Sequence, residues 1–157
     1  MTALSFRRLA RIVKDTRGVN VLEGAIILPL LLVLTFGIID FAALFYVDLT
    51  LQNGVSQASR FGVTGNLAPG MSREESIRAA FRNATPTLSV DDSAFEFAHM
   101  SPGGSSWSSG TGGPNDIEKV TINYSWRILT PVIRPFFPGG QFNFRVEAAM
   151  KNEGRFE

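Results

Sequence analysis

Four residues could do chemistry because of where they stand. Gly18 and Val19 follow a basic segment, Glu23 lies at the mouth of a long apolar run, and Asp40 lies 17 residues further on. A carboxylate beside hydrocarbon is costly to hold unless water or a cation compensates it. Glu23 therefore has two readings. In one it is hydrated at headgroup level, or favoured by the positive end of a helix dipole. In the other it is functional: if the chain is cut between Gly18 and Val19, the new α-ammonium of Val19 on a neighbouring copy or partner could pair with it as helices pack side by side. Asp40 has the same two readings, hydration at the far interface or a second intramembrane polar contact.

No catalytic, cofactor-binding or metal constellation accompanies them. His99 is the sole histidine and cysteine is absent, which excludes disulfides, thiolate metal sites and a cysteine nucleophile. The glycine-rich stretch 101–114 lacks the Gly-Lys-Ser/Thr ending of a phosphate cradle. Asp91-Asp92 and Glu74-Glu75 are adjacent acids rather than placed pairs. Arg73, Arg78 and Arg82 form a helical basic stripe without interleaved aromatics, which reads as a solvated face and not as a nucleic-acid site. The expectation is a chain that is not an enzyme and takes no cofactor, nucleic acid or small-molecule substrate.

The elements that must hold these residues follow from hydropathy. Charged residues make up 18% of the 157-residue chain, below the ~25% of ordinary soluble domains, and Gly24–Ile39 has none. A helix from Gly24 to Val47 would rise about 36 Å, enough for a ~30 Å hydrocarbon core with some tilt. Pro29 removes a donor inside it and predicts a kink. Arg7, Arg8, Arg11, Lys14 and Arg17 against Asp15 give a net +4 before Gly18, while ten basic and thirteen acidic side chains follow. The positive-inside rule places the amino terminus in the cytoplasm and the rest across the membrane. No small-x-small site closes the apolar run, so removal as a secretory signal is disfavoured.

Past the span, Leu51, Val55, Ala58 and Gly62 share a face, extending the helix to Val63. Ser72 with Glu75 three residues on predicts a capping box opening a helix over 73–84, with Ile77, Ala80, Phe81 and Ala84 inward. Period-two alternation at 95–97, 117–128 and 141–150 predicts three antiparallel strands with one apolar face. The fold class is α+β: a long N-terminal transmembrane helix continuing into a small exported two-layer domain, one or two amphipathic helices on a three-stranded sheet. The divisions are 1–18, a basic cytoplasmic leader; 19–63, the transmembrane helix and its amphipathic extension; and 64–157, the exported domain with a flexible loop 101–114. The patch Val132–Phe137 reads as a hydrophobic plug over one end of the sheet, or, with Trp107, as a ligand-binding surface.

At these residues the sequence resembles a known family. Lys14–Glu23 is similar to a type IV prepilin cleavage site, with glycine at −1 and glutamate at +5. Arg17-Gly18, Glu23-Gly24-Ala25, Leu28-Pro29-Leu30, Phe36–Phe41 and Leu51-Gln52-Asn53 resemble the TadE-like pseudopilins of tight-adherence (Flp) pilus assembly. Tyr124, Leu129-Thr130-Pro131 and Ala149–Glu153 resemble that family's closing strand and ending. The resemblance implies a bacterial inner-membrane, single-pass minor pseudopilin with a periplasmic domain. It also implies cleavage at Gly18/Val19 by a prepilin peptidase, helix association through Glu23, and action with other pseudopilins or pilins on the Tad secretion platform. Gly24 stands where relatives carry an aromatic, and Ala42-Ala43 where they carry Gly and often Arg. The other class is an uncleaved single-pass anchor displaying a periplasmic binding module.

Overall fold

The apolar run and the amphipathic run after it form one helix, α1, Thr16–Val63. The computed structural model describes residues 16–154. The expected basic leader 1–18 lies outside the described residues up to residue 15. α1 has two physically different parts. Between Val19 and Ile39 most large side chains point away from the protein, as with Val21 at 73% and Leu30 at 71% exposure. Almost none of its most apolar window is covered by the rest of the chain. A helix apolar on every face and uncovered by protein suits an apolar solvent, so this part fits a single-pass membrane anchor. Pro29 stands inside the helix, which is continuous through it.

Further along α1, one face is buried. Val47, Leu51, Val55 and Ala58 lie in the core, at the three-to-four-residue spacing of a helix stripe. The helix ends where Gly65 adopts a left-handed φ of 71° and donates to the Gly62 carbonyl, 3.1 Å away. After a turn at Gly70, α2 runs Arg73–Ala84. The Ser72 hydroxyl accepts from Glu75 N–H and the Glu75 carboxylate accepts from Ser72 N–H at 2.7 Å, so the capping box forms as expected. The bond from the Ser72 backbone N–H first, and the Ser72 hydroxyl second, hold the Glu75 carboxyl below the usual range. Ile77 and Phe81 are fully buried against α1 and the sheet.

The sheet has four antiparallel strands: β1 Phe95–Met100, β2 Ser108–Ser109, β3 Ile117–Arg127 and β4 Gln141–Lys151. Their order is β2-β1-β3-β4. Register sets Val120 opposite both Phe97 and Ala148, and Ile122 opposite both Phe95 and Val146, which gathers the apolar set on one face. α1 and α2 cover that face, making two layers. The other face is polar: Asn123 Nδ2 donates to Glu96 Oε1 at 2.8 Å, and Ser125 Oγ to Asn143 Oδ1 at 2.7 Å. The fourth strand, against three expected, lies inside the glycine-rich loop. Two residues are too short to show a period of two, so β2 leaves no hydropathy signal.

Two expectations are corrected here. The arginine stripe of α2 is not a solvated face: the Arg73 side chain is 13% exposed, Arg78 19%, and only Arg82 stands half in water. Arg78 lies over the Phe97 ring at 5.1 Å, and Arg82 pairs with Asp92. The patch Val132–Phe137 is not a plug either, since Val132 is 44% and Phe136 75% exposed. Short helical turns at Arg134–Phe136 and Pro138–Gly140 carry it beyond the end of the sheet, where it cannot close the core.

Candidate functional site

The first constellation is on the outward part of α1. Gly18, Val19 and Glu23 lie in its first turns, exposed. Val19 and Glu23 are four residues apart and therefore share a face. An added Cβ at Gly18 or Gly24 would meet nothing within 4 Å, so no packing in the folded chain requires either glycine. The structure does not bring Asp40 to them, because 17 residues of helix separate it from Glu23 by about 25 Å.

Asp40 has its own partners, and they come from the far end of the sheet. It is 3% exposed. Its carboxylate accepts from Leu129 N–H at 2.8 Å, from Thr130 N–H at 3.3 Å and from the Thr130 hydroxyl. The hydration expected at this position gives way to donors from the Leu129-Thr130-Pro131 segment. A buried carboxylate is tolerable when several donors converge on it, and such charge-assisted bonds are about twice as strong as neutral ones.

The second constellation was not expected from the sequence. Arg73, the first residue of α2, sends Nη2 to Gly62 O at 2.8 Å, to Glu118 Oε2 at 3.0 Å and to Asn152 Oδ1 at 3.0 Å, and Nη1 to Gly112 O at 2.8 Å. Asn152 Nδ2 in turn donates to Gly113 O at 2.8 Å, and Glu153 N–H to Val63 O at 2.9 Å. One guanidinium thus joins the carboxyl end of α1, the start of α2, the loop before β3, and the chain after β4. The Glu118 side chain is 0% exposed, and its Oε1 has no hydrogen-bond partner. Burial pushes its carboxyl up to about 7, against the pull of Arg73. Gly62 makes room for this acid, since a Cβ there would stand 2.8 Å from Glu118 Oε2.

A signal for this cluster existed. Glu118 has the parity of Val120 and Ile122, so a sheet with those residues inward must carry the acid inward too. Its partner could not be read, because nothing local distinguishes Arg73 from Arg78 and Arg82.

The raised carboxyl has a testable consequence. Between about 4.5 and 7 the folded chain keeps a proton on Glu118 that the unfolded chain has released. Stability from this group is therefore full on the acid side and falls as pH rises through about 7, by up to ~1.4 kcal/mol per pH unit. Denaturant unfolding of the detergent-solubilised chain at pH 5, 6, 7 and 8 should show this slope, and Glu118→Gln should lack it. Equal pH profiles for the two proteins would contradict it.

Among the described residues, no group of three or more His, Cys, Asp or Glu side chains could hold a metal ion. His99 sets Nδ1 3.2 Å from Gly110 O beside β2, and Trp107 is 43% exposed with Lys119 Nζ 4.3 Å from its ring centre. No curated protein and no solved structure matches the chain. The resemblance read from the sequence is met in one comparison: residues 18–60, which carry the exposed Gly18, Val19 and Glu23, the buried Asp40 and the core face of α1, match the family described as TadE-like protein.

Proposed function

We propose that this chain is a minor pseudopilin of tight-adherence pilus assembly, a structural component anchored in the bacterial inner membrane with its domain in the periplasm. The observation that carries the reading is that the match to the TadE-like family takes in the apolar part of α1 that the fold leaves uncovered, with Glu23 exposed on it. An apolar helix with one acid near its end is suited to side-by-side association with like helices, the acid pairing with a cation of the neighbour. Cleavage between Gly18 and Val19 by a prepilin peptidase would supply that cation at Val19. Other pseudopilins or pilins and the Tad secretion platform are the partners in this reading. The basic residues before Gly18 support a cytoplasmic amino terminus.

Two measurements test it. Mass spectrometry of the membrane-extracted chain, made in cells holding the cognate peptidase, should find Val19 at the amino terminus; an intact Met1 would sink the processing step. Glu23→Ala should abolish pilus assembly while the domain stays folded, because Glu23 touches none of the buried core. Undiminished assembly would favour the uncleaved anchor displaying a binding module.

A further inference from the structure

We propose that the loop Leu129–Phe137 is a second membrane contact of this chain, its exposed apolar side chains entering the bilayer beside α1 at the Asp40 end of the span. The proposal rests on reading α1 as a membrane span, and goes beyond pilus assembly to how the domain is seated.

Residues 19–39 rise about 30 Å at ~1.5 Å per residue, the thickness of a hydrocarbon core. Counting instead from Gly24 puts the far boundary near Ala43, one turn beyond Asp40. On either count Asp40 lies within a turn of the boundary. The loop is pinned at this level, because Leu129 N–H and both donors of Thr130 bind the Asp40 carboxylate. A domain held only by a tether could float clear of the lipid, but this one is bonded to the span at the span's edge.

Leu129 is 48% exposed, Val132 44% and Phe136 75%, and on the neighbouring helix Phe41 is 61% and Phe45 62% exposed. A groove of ≈ 330 Å³ lined by Phe41, Phe45, Phe137 and Phe142, with Asp48 as its one acid, runs between α1 on one side and the loop and β4 on the other. Large apolar side chains gathered on one surface mark a contact with a membrane or a partner. Continuity with the uncovered apolar face of α1 favours the membrane.

The loop's backbone suits lipid, because most of its N–H groups are either missing at proline or bonded within the loop. Irregular chain at membrane depth requires its polar groups to be satisfied internally. Pro131, Pro135 and Pro138 have no N–H to satisfy. Ile133 and Arg134 donate to Thr130 O, Phe136 to Ile133 O, Phe137 to Arg134 O and Gly140 to Phe137 O. Arg134 turns its charge inward, with Nε on Ile128 O at 2.8 Å and Nη2 on Leu129 O at 3.1 Å. Arg127, exposed at the same end of the sheet, is placed to meet lipid phosphate.

The chain contains no cysteine, so single-cysteine variants of the full protein give clean probe sites. Phe136→Cys and Val132→Cys, with Ser105→Cys in the distant loop and Leu31→Cys in the span, would each carry an NBD label. The proteins would be reconstituted in phosphatidylcholine–phosphatidylglycerol vesicles with or without doxyl-labelled lipid. The expected result is blue-shifted emission and several-fold stronger doxyl quenching at 132 and 136 than at 105, with shallow doxyl more effective than deep. Labels at 132 and 136 that iodide quenches as readily as at 105, while 31 is quenched by doxyl, would overturn the proposal and leave the span intact. Shielding from both quenchers would also overturn it, by showing protein over the loop. No doxyl quenching at 31 would overturn the span itself.

Discussion

Replacing Arg73 by methionine is expected to destabilise the domain by about 3–5 kcal/mol at pH 8, the usual effect of removing one partner from a buried ion pair. Glu118 would keep its place with 0% of its side chain exposed and would lose the guanidinium 3.0 Å away. The Gly62 and Gly112 carbonyls and Asn152 would lose a donor at the same time. The loss should be smaller at pH 5, because Glu118 already carries its proton there and no buried charge is left unpaired. Adding Glu118→Leu to Arg73→Met should recover most of the stability, since a buried pair exchanged for apolar side chains is often neutral. Urea unfolding midpoints of the parent, Arg73→Met, Glu118→Leu and the double variant in detergent, at both pH values, would decide it. A single variant as stable as the parent at pH 8 would show that the cluster holds nothing together.

The second large effect is expected at Phe81. Its ring is fully buried, edge-on to Phe95 with centroids 5.2 Å apart. It also lies so close to α1 that a Cβ on Gly54 would stand 2.6 Å from it. Gly54 is thus a seat for this ring, which is why a helix former is absent at that position. Phe81→Ala should cost about 3–5 kcal/mol, the range for deleting a buried aromatic. The cavity cannot collapse easily, because a helix backbone walls one side and a strand the other. Thermal unfolding followed by near-ultraviolet circular dichroism would measure it, and a loss below about 1 kcal/mol would place the ring outside the core.

Much of this architecture could be read from residue order. The span needs only a charge-free run. The inward faces of α1, α2, β3 and β4 follow from periods of 3.6 and 2, and the capping box from Ser72 and Glu75. What could not be read depends on long-range pairing. The guanidinium of Arg73 finds Glu118 45 residues away and Asn152 79 residues away. Asp40 finds Thr130 across 90. A basic residue at helical spacing is solvated or buried according to what folds over it, and pattern alone does not say which. The Val132–Phe137 patch failed as a plug for the same reason: its apolar content is plain, but three prolines and two short turns carry it away from the core.

α1 passes from the uncovered segment into the core without a break, and Asp40 locks it to the chain just past the end of β3. The chain therefore has no joint at its waist. The helix behaves as a drive shaft with the domain keyed onto it: turning the span about its axis turns the sheet through the same angle, and tilting one tilts the other. A partner gripping the helix within the membrane would thereby set the compass heading of every surface the domain presents.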